Sequence, residues 1–356
     1  MTGQGAMQVE ALPGPITGPT VWYGPAVADA AEWVFALRDD ELGELQRAAE
    51  RFLDQGEDIS QIDRAQFVLP RLGARIRDWH DRLIHGAGFA VLRGLPVDEW
   101  PLAVSAAAFF GVGVHLGNPR PQNASGHVLG HVIDMGLDSR DPNVRIYQTH
   151  DRQTFHTDSC DIVGLLCLRK SRAGGESALV SSNTIYNEMQ QNEPHLAAAL
   201  FDAMATDRRG EVPPGSHPFF SIPVFNWYQG LMSTIYHRPY IQSAQRFSEA
   251  MRLSALHLEA LDCFDSLAND ARLNFMMGFE PGDMQFVHNH TLLHDRMAFE
   301  DWPDPARRRH LLRLWLSSPT ARPLPEVYAQ RYGSVVPGDR GGVMMPAARW
   351  HAPLTP

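Results

Sequence analysis

Three features of the chain predict an α+β fold with a β-rich core. Segments of helical length and periodicity crowd the first third. Beyond residue 116 the apolar residues fall into short runs punctuated by Gly, Pro, Asn and Asp, the texture of a β-sandwich or jelly roll. The chain has 356 residues, 44% hydrophobic and 20% charged, enough to bury a core without disulfide or metal staples.

In order, residues 1–25 read as a flexible arm, rich in Gly, Pro and Thr. Asp39–Leu53 (DDELGELQRAAERFL) carries apolar residues at helical spacing with acidic residues in its first turn, and predicts a helix. Leu69–His85 predicts a second helix, stopped by Gly86 and Gly88, and Ala103–Leu116 a third. Between them Phe89–Arg93, ended by Gly94 and Pro96, predicts a buried strand. The later short runs, Val144–Thr149, Ile162–Leu168, Ser177–Val180, Met284–Val287 and His310–Leu316, predict strands. A helical stretch, Ser243–Leu267, and an aromatic-rich stretch from Phe219 to Tyr240 interrupt them. With no internal repeat, the reading is one catalytic domain over 26–356. It comprises a helical N-terminal layer (26–116), a β core (117–318) with an insert (215–270), and a Pro/Gly-rich C-terminal wrap (319–356) over the surface.

Composition excludes several classes. The net charge of −10, with no basic stripe, argues against nucleic acid. Cys160, Cys167 and Cys263 form no close pair, which argues against a disulfide framework and a thiolate zinc site. The N-terminus has no basic and apolar regions of a secretory signal, and no apolar run approaches a membrane span. A soluble, cytoplasmic protein with a small-molecule partner is expected; a homo-oligomer is compatible with this.

Two segments carry chemistry. Gln153–Asp158 reads Q-T-F-H-T-D. On a strand, residues i and i+2 share a face, so His156 and Asp158 could bind one ion side by side. A facial triad needs one further imidazole. The second segment, Gly282 to Arg296 (GDMQFVHNHTLLHDR), offers His288, His290 and His294. His290 and His294 have the spacing of a zinc-binding helix, but Thr291 stands where the acid of H-E-x-x-H belongs, and a Gly-Asp turn followed by a strand-like run argues against a helix. Downstream, Arg309, Leu311, Arg313 and Trp315 share one face of a predicted strand. An arginine inside such an apolar run is costly unless it meets an anion.

Together these pieces resemble the taurine dioxygenase/clavaminate synthase-like family of Fe(II)/2-oxoglutarate oxygenases. That family pairs H-x-D with a long insert, a G-D-x-x-x-x-x-N-x-x-x-x-H segment and a later arginine. The match also takes in Gly86–Pro96 and Pro121–Gly136, running from about residue 70 to 318. The resemblance implies a double-stranded β-helix core and selects His294 over His288 and His290, the latter two being second-shell or surface residues. It implies iron ligation by His156, Asp158 and His294. It aligns Arg309 with the arginine that grips the distal carboxylate of 2-oxoglutarate, and Ser177, in Gly174–Ser177, with a hydroxyl that assists. Arg313 aligns with an arginine that contacts substrate in some members. The implied activity uses Fe(II), 2-oxoglutarate and O2 to oxidise an unactivated C–H bond, releasing succinate and CO2; Asp158 disfavours halogenation, since related halogenases lack that carboxylate. The longer His294-to-Arg309 spacing and N-terminal region depart from taurine dioxygenase itself and argue against taurine as substrate.

Substrate contacts are expected from Arg313, from Gln122 and Asn123 in Pro121–Asn123, and from Phe225 and Trp227 in the aromatic stretch. They suit a small anionic molecule with an apolar body. The anion facing Arg313 is either on the substrate or a protein carboxylate. Two rivals remain at this level: a metal-dependent cupin-type isomerase or hydrolase, and a non-catalytic jelly-roll binding protein. Arg309 argues against both, since neither needs a clamp for 2-oxoglutarate.

Overall fold

The computed structural model describes residues 11–30, 32–141 and 143–356. Its centre is a seven-stranded, mainly antiparallel sheet. Val34–Ala36, Phe89–Arg93, Met284–His288, Ile162–Arg169, His310–Ser317 and Asn118–Pro119 follow in that spatial order, with Gly130–Val132 also pairing to His310–Ser317. A four-stranded antiparallel sheet, ordered Phe275–Met277, Ser177–Ser181, Leu292–Arg296 and Gln153–His156, accompanies it.

The large sheet is coated by helices on one face. Asp39–Leu53 buries Leu45, Ala48, Ala49 and Phe52, one stripe of the 3.6-residue period. Leu102–Leu116 is buried almost all round, and its small residues allow close packing. Gly164 is needed there, because a Cβ would meet the Phe286 ring at 2.8 Å. Strand alternation then sorts side chains between layers. Leu312, Leu314 and Leu316 join the helices in one core, whereas Leu311 packs with Leu179, Leu292 and Phe275 of the small sheet. Arg313 and Trp315 share that inward face.

The chain crosses between the sheets through Asn289, His290 and Thr291, all fully buried, which link Met284–His288 to Leu292–Arg296. The Gly282–Arg296 segment is therefore strand, turn and strand, as the Gly-Asp signal predicts. Gly282, at φ +87° and with a Cβ position 2.0 Å from Leu95 O, admits no side chain at the entry to this crossing.

Five expectations are corrected. Val144–Thr149 is not a strand; it holds a 3-10 turn over Ile146–Gln148. Ser243–Leu267 is not one helix: Arg238–Ala244 and Ala255–Ala268 are separate, the second capped by Ser254. Residues 11–25 of the expected arm are fastened down, Trp22 being buried, with Ile16 N donating to Asn187 and Tyr186 Oη donating to Pro13 O at 2.5 Å; residues 1–10 lie outside the described residues. The C-terminal segment does more than cover the surface, since Tyr328, Tyr332, Arg340 and Val343 are buried. The helix expected over Leu69–His85 spans Leu72–His85. Among the described residues no helix is long and apolar enough to cross a membrane.

Candidate active site

Strand Gln153–His156 pairs with Leu292–Arg296 so that His156 and His294 are direct cross-strand partners, with ring centroids 4.1 Å apart. Asp158 is not on the strand, which ends at His156. Its position comes from the crossover: Asp158 N donates to Asn289 Oδ1 at 2.8 Å, and Asn289 Nδ2 donates back to Asp158 O and Cys160 O. The carboxylate then lies 4.0 Å from His156 Nε2 and 3.8 Å from His294 Nε2. Ligand atoms of the three residues all fall within 4.8 Å of one another.

The donor set suits a divalent transition metal. His156 Nδ1 meets Thr154 O at 2.8 Å, which commits the proton to Nδ1 and leaves the Nε2 lone pair, now facing the Gln153 amide at 2.8 Å, for a metal. Burial lowers the pKa of His294 to about 3 and lowers that of His156, so both rings are neutral donors near pH 7. Burial opposes charge on Asp158, but the Arg313 guanidinium and the Trp315 indole, whose Nε1 donates at 2.8 Å, hold its carboxyl below the usual range. His288 and His290, read as second-shell or surface residues, are not on the surface. Both are fully buried, His288 against Thr291 and His290 against Asp161 at 2.8 Å each.

Beside this trio lies a cavity lined by His156, His294, Ser177, Gln285, Arg296, Arg309 and Arg313, among others. Arg309 is 4% exposed, stacks on Phe299 at 5.2 Å, and its buried Nη1 has no partner among the described residues. A desolvated guanidinium with a free donor fits a carboxylate. Gly175, at φ +78°, brings backbone close to this group, its Cβ position being 3.1 Å from Arg309 Nε. Arg296 is a second cation in the cavity, with Nε unpartnered and its pKa lowered by burial to about 9. It shares the His294 face of strand Leu292–Arg296, so the two-residue period is the sequence signal that points to it.

A wider cleft opens on the other side of Asp158 and is lined in part by Tyr147, Phe220, Tyr236, His237, Tyr240, Arg313 and Trp315. The expected substrate residues divide here. Arg313 lines both spaces, with Tyr147 and Trp315 on its guanidinium at 4.5 and 4.9 Å. Gln122 lies behind it, Oε1 accepting from Arg313 Nε at 2.7 Å, and so orients the arginine rather than lining the cleft. Asn123 does not reach the site; its Oδ1 accepts from Ser125 N and His127 N in a turn. Phe225 is in the core with Tyr186, Phe201 and Phe264, and Trp227 points to solvent. The aromatic stretch does supply the cleft, but through Phe220, Tyr236 and Tyr240. Arg313 Nη1 lies 3.5 Å from Asp158, so a protein carboxylate faces it.

Residues 55–315 match the model of the taurine catabolism dioxygenase TauD, TfdA family. The chain belongs to this family. It is a non-haem iron, 2-oxoglutarate-dependent dioxygenase, and membership together with the assembled ligand trio sets aside the cupin-type and binding-protein alternatives. The FR-33289 synthase of Streptomyces rubellomurinus (strain ATCC 31215) is 34% identical over 322 residues, covering 89% of this chain and 94% of that protein. Asparagine oxygenase in complex with Fe(II), 2S,3S-3-hydroxyasparagine and succinate has a similar fold, with TM-score 0.62 and 15% identity, over 80% of this chain and 93% of that one. The non-haem iron oxygenase OrfP in complex with Fe and alpha-ketoglutaric acid gives TM-score 0.59 and 15% identity, over 80% and 93%.

Proposed function

We propose that the enzyme hydroxylates an unactivated C–H bond of a small, anionic, partly apolar molecule, with iron on His156, Asp158 and His294. The observation that carries this is the adjacency of the ligand trio to a buried arginine, Arg309, with an unclaimed donor in the same cavity. Bound iron and 2-oxoglutarate would supply the oxidising power from O2, with release of succinate and CO2.

The chain's own residues do the positioning. Arg309 grips the distal carboxylate of 2-oxoglutarate, helped by Ser177 and by the field of Arg296. Asn289 locks the backbone carrying Asp158, and Trp315 and Arg313 keep that carboxylate ionised and oriented. The Asp158 ligand fills the position a halide would need, which favours hydroxylation. The aromatic walls of the wider cleft exclude water around the substrate's apolar part. The reading takes residues 26–356 as one catalytic domain with a double-stranded β-helix core. It also takes the protein as cytoplasmic, free of nucleic-acid and membrane partners and compatible with a homo-oligomer.

The test is anaerobic addition of Fe(II) and 2-oxoglutarate, followed by admission of O2. A weak visible charge-transfer band and then succinate are expected. A protein that binds iron but develops no band and yields no succinate with any of a panel of small anions would sink the reading.

A further inference from the structure

Four arginines line the wider cleft: Arg145, Arg208, Arg313 and Arg331. Two have anionic partners. Arg145 is ion-paired with Glu211, and Arg313 faces Asp158. Arg208 is 7% exposed and donates only to the backbone carbonyls of His217 and Gln330. The guanidinium of Arg331, half-buried, makes no hydrogen bond or ion pair to any described residue. Both guanidiniums approach one aromatic ring, Phe220, at 5.5 Å for Arg208 and 5.8 Å for Arg331. The nearby acid, Asp207, is already committed to Arg246 and Ser243. Two cations thus stand together at the cleft wall with no carboxylate paired to either among the described residues; Asp158 acts on Arg331 only at a distance. Burial lowers the pKa of each to about 10, and like-charged neighbours add to this: Arg331 acts on Arg208, and Arg145 acts on Arg331.

Such an arrangement is costly unless an anion completes it. A carboxylate or sulfonate carries one charge and leaves one guanidinium uncompensated. A phosphate monoester carries about two charges near pH 7, and a phosphonate reaches the same charge when two adjacent guanidiniums draw off its second proton; each presents three oxygens, matching two planar forks at once.

We propose that Arg208 and Arg331 form a subsite for a doubly charged phospho group on the substrate, a phosphonate or a phosphate monoester. This rests on the proposed function and names its substrate class. The phospho group sits at the Phe220 wall, and the apolar part runs past Tyr236 and Tyr240 towards the iron ligands. Arg313 serves Asp158 and not the substrate anion.

The test uses the full chain loaded anaerobically with Fe(II) and 2-oxoglutarate. Butylphosphonate, butyl phosphate, butanesulfonate and pentanoate are titrated by calorimetry while the charge-transfer band is recorded. At least one phospho compound should bind about tenfold or more tightly than the sulfonate and the carboxylate; which of the two binds better identifies the source of the group. Arg331→Gln should lose about tenfold or more for the phospho compound, little for the sulfonate, and keep the band. Arg208→Gln should behave alike. Because Arg208 is buried and could be needed for folding, the half-buried Arg331 decides. Equal affinity for all four anions, no phospho binding at millimolar concentration, or an Arg331→Gln protein that binds the phospho compound as wild type does would each overturn the subsite. A missing band in wild type would instead count against the iron and 2-oxoglutarate reading, and phospho binding to that sample would still decide the subsite.

Discussion

Replacing Arg309 by alanine removes the group that the cavity beside His156 and His294 holds in readiness for an anion. Its guanidinium is 4% exposed, Nη1 is unpartnered, and Nη2 lies 3.5 Å from Gly175 O, a weak contact that does not compete with a carboxylate. Losing one partner of a buried, charge-assisted pair costs on the order of 2–5 kcal/mol. Arg296 lines the same cavity and keeps part of the favourable potential, which puts the expectation at the lower end, about 2–3 kcal/mol. At roughly 1.4 kcal/mol per decade, Kd for 2-oxoglutarate should rise about 30- to 150-fold. The assay is anaerobic titration of the Fe(II) protein followed by the charge-transfer band, with iron affinity measured separately to show that the metal site survives. An unchanged Kd in Arg309→Ala, combined with a large rise in Arg296→Ala, would refute the reasoning and move the clamp to Arg296.

Further outcomes follow from the same geometry. His156→Ala, Asp158→Ala and His294→Ala should each abolish or nearly abolish iron binding and turnover, whereas His288→Ala should bind iron and lose thermal stability, as its ring is fully buried; iron retained by His294→Ala would refute the ligand assignment. Asn289→Ala should leave the ligands present but release the Asp158 backbone, lowering iron affinity or activity by about 10- to 100-fold; metal titration and thermal melting separate this from unfolding, and wild-type affinity would show that Asn289 does not position Asp158. Phe225→Ala should cost about 3–5 kcal/mol of stability from a core cavity, read by denaturant unfolding, while Trp227→Ala, at 38% exposure, should leave both stability and 2-oxoglutarate binding close to wild type. Loss of substrate binding in Trp227→Ala with stability intact would restore it to the site.

Local geometry explains what was legible in the chain alone. The alternation of residues along His310–Ser317 set Arg313 and Trp315 on the face opposite Leu312 and Leu314, because a strand's two-residue period belongs to the backbone and needs no partner. Helix Asp39–Leu53 was legible for the same reason, its apolar stripe and acidic first turn being sequence-local. The candidate trio of His156, Asp158 and His294, which the structure brings together, stood out through family spacing. Its register is a pairing of strands far apart in the chain, however, and no periodicity states that His156 faces His294. The tertiary structure decided the rest. Asp158 lies past its strand end and is held by Asn289, a hydrogen bond across 131 residues. Phe220 and Phe225 are both aromatic and close in sequence, yet one lines the cleft and the other fills the core, because they fall on strands of two different two-stranded sheets, a pairing that composition does not reveal. Arg331 comes from the C-terminal segment, whose Pro/Gly-rich composition reads only as irregular backbone. Its arrival beside Arg208 and Phe220 depends on Tyr328 and Tyr332 packing inward, a long-range contact whose free energy appears only when the whole core closes.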